Sequence, residues 1–119
     1  MAIESKEEQL RGRTKAFALR TIKLVRALPR SVEAQVIGKQ LLRSGTSVGA
    51  NYRAVCRARS RNEFTAKLGV VVEEADESMY WLELLVESEI ITPAKLASLH
   101  KEASELTAIF TAALNTSRK

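Results

Sequence analysis

A chain of 119 residues, 45% apolar, with five glycines and two prolines, is long enough for one buried core and offers helices few interruptions. No apolar run approaches the roughly 20 residues of a membrane span, and the single cysteine, Cys56, excludes an internal disulfide and fits a reducing cytoplasm. The net charge of +5 conceals an asymmetry: residues 1–62 carry 14 Lys/Arg against 4 Asp/Glu, and residues 63–119 carry 5 against 10. Such a division suits either a polyanionic partner or two surfaces that attract one another.

The opening segment, MAIESKEEQLRGRTK, is polar and has none of the apolar core of a signal peptide. From about Glu4 to Ala27 the spacing predicts a first helix, with Leu10, Thr14, Phe17, Thr21, Leu24 and Leu28 on one face and Pro29 ending it. Ser31 caps a second helix with Glu33 in its first turn, and Ala34, Ile37, Leu41 and Ser44 form its stripe. The stretch RSGTSVGAN then predicts a kink or brief break, with Gly45 in the left-handed region and Thr46 or Ser47 capping a restart toward Arg57. Gly49 and Ala50 are small enough for another backbone to approach closely.

Ser60 and Glu63 form a capping box before an apolar run, which opens a third helix over about Arg61–Glu87. Its stripe is Phe64, Leu68, Val71, Ala75, Leu82 and Val86. Thr92-Pro93 starts a fourth helix, with Leu96, Leu99, Ala103, Leu106, Phe110 and Ala113 inward. Four amphipathic helices with short links make a single all-α domain over residues 1–119, an up-down-up-down four-helix bundle with a kinked or broken second helix.

The chemistry of an enzyme or metal protein is thin. Glu73, Glu74, Asp76 and Glu77 crowd helix three, but a di-metal bundle uses Glu-x-x-His motifs and this chain has one histidine, His100. No phosphate loop and no nucleophile placed with a base can be read. Neither a cofactor, a metal nor a small-molecule substrate is expected. Cys56 lies among arginines, a setting that lowers a thiol pKa, although a small packing residue is the better reading.

Basic residues dominate instead. Arg13, Arg20, Lys23 and Arg26 lie along a polar face of helix one and are the candidate contacts to RNA or DNA. In RAVCRARSRNEF, four arginines fall within nine residues: Arg53, Arg57, Arg59 and Arg61. Arg53 and Arg57 are i, i+4 neighbours and can pair with Glu73, Glu74 and Glu77 of helix three, either within one subunit or across to the next copy, with Tyr52 or Trp81 as an apolar anchor. A surface complementary to a different surface of the next copy makes a head-to-tail ring when the rotation closes.

The run LLRSGTSVGANYRAVCRARSRNEFTAKLG followed by EEADESMYWLELL resembles the 23S rRNA-intervening-sequence protein family, also called the four-helix-bundle protein family. The resemblance spans nearly the whole chain and is densest from Leu41 to Leu85. It implies small bundles assembled into cyclic homopentamers, with no established enzymatic activity. A related bundle protein acts with a reverse transcriptase and binds nucleic acid. Many members carry Ile-Ala-Glu-Gly where this chain has Tyr52-Arg53-Ala54-Val55, so a base stands here in place of an acid. The expectation is a non-enzymatic, cytoplasmic, homo-oligomeric bundle that binds nucleic acid through its basic half, or alternatively a ring-forming protein scaffold.

Overall fold

The computed structural model describes residues 4–119 and contains four helices: α1 (Lys6–Arg26), α2 (Val32–Cys56), α3 (Arg61–Glu87) and α4 (Pro93–Ser117). Each of α1, α2 and α3 begins at a serine whose side-chain oxygen accepts the amide of the residue three further on: Ser5 from Glu8, Ser31 from Ala34 and Ser60 from Glu63. These bonds satisfy amides that a helix start otherwise leaves open. Glu63 reaches back past the cap, its carboxylate accepting the backbone amide of Arg59 at 3.3 Å, one residue before the partner a capping box uses. α4 uses Pro93 in its first turn and has no side-chain cap.

α2 runs unbroken through RSGTSVGAN, which corrects the expected break. No glycine has positive φ. Thr46 and Ser47 do not cap a restart, because their hydroxyls donate back to the carbonyls of Leu42 and Arg43 within the same helix. The glycines serve packing instead. A Cβ on Gly45 would lie 2.7 Å from Thr21 Cγ2, one on Gly38 2.8 Å from Leu28 Cδ1, and one on Gly49 3.3 Å from the Thr14 backbone. Pairs 38/28, 45/21 and 49/14 run in opposite directions, so α1 and α2 are antiparallel and meet along a seam where one partner lacks a side chain.

The other neighbours are antiparallel too. Thr65 meets Ser117 and His100 meets Glu83 across α3 and α4. The bundle closes where α1 faces α4, through Arg13 to Glu102 and Glu105 and Arg20 to Ser98, although this contact is narrower than the other three. The core is built from Phe17, Leu41, Val48, Leu68, Val71, Leu82, Leu85, Leu106 and Phe110, all essentially removed from solvent. Two positions expected inward are exposed: Phe64, at 37%, and Ala113. The inward set is carried on by Leu114 at the end of α4 and by Ser78 and Leu85 in α3.

Between α2 and α3 the core contains a polar pair. Ser44 and Ser78 are wholly buried, with their hydroxyl oxygens 2.9 Å apart. Each also reaches a carbonyl of its own helix, Leu41 or Glu74. One proton bridges the hydroxyls and the other serves a carbonyl, so no polar atom is stranded and the small side chains let the helices approach.

α3 ends in a Schellman motif, with Ile90 N–H donating to the Leu85 carbonyl and Glu89 N–H to that of Val86. Its left-handed position is occupied by Glu89, φ 63°, where glycine is the usual residue. A non-glycine residue pays about 1 kcal/mol or more for that conformation. Glu89→Gly is therefore expected to stabilise the fold by about 1 kcal/mol in urea unfolding, and a lower midpoint would contradict this account of the turn.

Candidate nucleic-acid interface

The cations do not collect where helix one alone suggested. Arg13 is held by α4: its Nε and one terminal nitrogen grip both oxygens of Glu102, and the same nitrogen reaches Glu105 at 3.2 Å. The hydrogen bond to Glu102 raises the Arg13 pKa further above its ordinary value. Arg20 donates to Ser98 at 2.8 Å. Both side chains tie α1 to α4, Arg13 through an ion pair and Arg20 through a single hydrogen bond. Lys23 and Arg26 remain exposed near the end of α1.

The acids of α3 are also engaged within the chain, but by an arginine that the run Arg53–Arg61 does not contain. Arg43 on α2 bonds Glu74 at 3.0 Å and Glu77 at 2.5 Å, and Trp81 Nε1 donates to the same Glu77 oxygen at 3.1 Å. The Arg43 hydrogen bond holds the Glu77 carboxyl below the usual range. Glu73 is exposed and has no ion pair among the described residues. Tyr52, expected as a surface anchor, is 7% exposed and packs on Phe110 with ring centroids 5.1 Å apart. It is a core residue, and burial pushes its phenol up. Burial also pushes the Cys56 thiol up, with the Glu7 carboxylate beside it acting in the same direction, so the neighbouring arginines do not make it a reactive thiolate.

The four arginines of the run divide by role. Arg61 closes the C-terminal end, donating to the Ser117 carbonyl at 3.3 Å and to the Lys119 carbonyl at 2.7 Å. These carbonyls lie at the negative end of α4, where a cation is favoured. Arg53, Arg57 and Arg59 instead line an open groove of about 550 Å³ between α2 and α3, with Ala50, Ala54, Glu63 and Lys67. A second groove, between α1 and α2, is lined by Arg11, Lys15 and Arg53, with Gly12, Thr14, Ala18, Thr46, Gly49 and Ala50 forming its floor. The two share Ala50 and Arg53 on α2 and so form a double trough, one channel on each flank of the C-terminal half of that helix.

Six cations face this trough: Arg11, Lys15, Arg53, Arg57, Arg59 and Lys67. Its one acid, Glu63, is spent on the Arg59 amide and a 3.9 Å ion pair with Lys67. The other five cations have no ion pair among the described residues. Arg11 and Lys15, like Arg53 and Arg57, are i, i+4 pairs that a helix places on one side, and this spacing was the signal available in the sequence. What the sequence did not show was that α1 and α3 bring their cations to opposite sides of α2.

No group of three potential metal-ligating side chains occurs among the described residues, and no helix there is long and apolar enough to cross a membrane. No curated protein matches the chain. A solved structure does: the crystal structure, at 1.70 Å, of a protein of unknown function from the S23 ribosomal protein family of Bacteroides thetaiotaomicron. It is 35% identical, with a TM-score of 0.86, over 93% of this chain and 99% of that one. The sequence model for the 23S rRNA-intervening sequence protein matches residues 6–112. With both sequence and fold agreeing over nearly its full length, the chain belongs to the 23S rRNA-intervening sequence protein family.

Proposed function

We propose that this protein is a non-enzymatic nucleic-acid-binding bundle whose contact surface is the trough over the C-terminal half of α2. The observation that carries this reading is the set of six cations lining the two channels of this trough with a single, already paired acid. Arginines without an internal ion pair neutralise phosphates without first breaking one. The trough contains no aromatic side chain, so binding rests on phosphate neutralisation and is nearly independent of base sequence. Titrating labelled RNA and DNA into the purified protein tests this: binding at low salt is expected, and an intact protein that binds neither contradicts it.

A homo-oligomeric ring, a pentamer by the family resemblance, is the second reading. The observation favouring it is the outer face of α3, where Val70 and Tyr80, 53% exposed, stand beside exposed Glu73 and Asp76. An apolar pair bordered by acids on α3 and unpaired arginines on α2 is the complementarity that a head-to-tail contact needs. It keeps Glu73 of the expected pairing but uses Asp76 and Tyr80 besides, since Glu74 and Glu77 are occupied by Arg43 and Tyr52 is buried. Light scattering on the unmodified protein decides it, and a monomeric mass would reject the ring.

A further inference from the structure

The nucleic-acid reading leaves open which form of polynucleotide the trough takes. Resting on that reading, we infer that the site is built for a single strand running lengthwise between the helices, rather than for a double helix lying across them. The first argument is the floor: between the cations the trough is lined by Gly12, Ala18, Gly49, Ala50 and Ala54, so it has depth that no side chain fills. The second is width. Packed helices have axes about 8–10 Å apart, so the channel between their surfaces is narrower still and seats one sugar-phosphate strand but not a duplex. The third is spacing. Arg57, the C-cap of α2, follows Arg53 by four residues, and Lys15 follows Arg11 by four on α1, an axial rise of about 6 Å for each pair. That rise is close to the phosphate-to-phosphate step of an extended strand. In the channel between α1 and α2, Arg11 and Lys15 then face Arg53 along successive phosphates, and Arg57, Arg59 and Lys67 continue the track in the channel toward α3.

A flat basic patch would make no such distinction. It would attract the duplex at least as well, because a double helix presents more charge per length. The choice of strand therefore depends on the floor and not on the net charge, and the two can be separated by a variant that changes only the floor.

Ala50 lines both halves of the trough and is exposed, and leucine is a good helix former, so Ala50→Leu fills the floor with charge and helix retained. The probes are fluorescein-labelled oligouridylate and oligothymidylate of about twelve nucleotides, within the range of single-strand sites, and a duplex of matched phosphate content. Wild type is expected to bind both single strands more tightly than the duplex. Ala50→Leu is expected to weaken single-strand binding roughly tenfold, and duplex binding by no more than about twofold, as when about two phosphate contacts are lost. Unchanged single-strand binding in Ala50→Leu, or a wild-type preference for the duplex, overturns the single-strand assignment while leaving nucleic-acid binding standing. Failure of wild type to bind any probe at low salt overturns both. A melting curve matching wild type confirms that Ala50→Leu reports on the floor, and an unfolded variant is replaced by Ala54→Leu.

Discussion

Gly45→Ala is expected to destabilise the fold by about 1–2 kcal/mol, although alanine is the better helix former. In an open helical position the exchange gains about 1 kcal/mol. At Gly45 the new methyl would stand 2.7 Å from Thr21 Cγ2, 2.8 Å from its Oγ1 and 3.1 Å from its Cβ. Thr21 is wholly buried, β-branched and held by a 2.8 Å bond from its hydroxyl to the Phe17 carbonyl, so it has no free rotamer to move into. The helices must part instead, and overpacking of this kind costs about 1–3 kcal/mol. Removing the obstruction should reverse the sign: Gly45→Ala combined with Thr21→Ala is expected near wild-type stability, with a favourable coupling of about 1 kcal/mol or more. Gly69→Ala serves as the control, since nothing lies within 4 Å of a Cβ there and the exchange should stabilise. Additive effects in urea unfolding would show that Gly45 is not at a close helix contact.

Reversing Arg53 and Arg57 together to glutamate is expected to produce the largest loss of binding. Arg53 lines both halves of the trough and Arg57 follows it one turn later. Losing two phosphate contacts lowers the salt dependence by about 1.4 on a log–log scale for a single strand. Two new negative charges repel the remaining phosphates, so the total loss at low salt should reach about a hundredfold, or about 3 kcal/mol. Both side chains are exposed and have no ion pair among the described residues, so the fold should tolerate the change. An equal reversal at Arg30 and Lys39, near the other end of α2, should cost far less. Equal losses in the two variants would mean that net charge, and not the trough, governs binding. The mass of the Arg53/Arg57 variant in solution also addresses the ring, because a head-to-tail contact through these arginines would dissociate.

Local rules account for what the sequence made legible. Caps at Ser31 and Ser60, Pro29 as a stop and Pro93 as a start are decided within a few residues, and they place all four helices. The error at Gly45 came from the same kind of reasoning: Gly followed by Thr and Ser looks like a terminus and a restart. Whether such a glycine ends a helix or admits a neighbour depends on what stands opposite, and Thr21 lies 24 positions earlier. The partners of the candidate cations depend on distant residues in the same way. Arg13 and Arg53 are alike in sequence, yet one meets Glu102 and the other faces open solvent in a trough. Arg43 had no cluster around it to draw notice, but it is the residue that engages Glu74 and Glu77. Charge type could be read from the chain, whereas charge partnership belongs to the packing of α1 on α4 and of α2 on α3.

The most direct test of the central claim is the salt dependence of oligonucleotide binding by the unmodified protein. Six cations engaged with a single strand predict a log–log slope near −4, from about 0.7 per neutralised phosphate. The slope should be the same for sequences of different base composition, because no aromatic or base-reading side chain lines the trough. A slope near zero, or an affinity that follows base sequence at constant salt, would contradict binding through the phosphates in this trough.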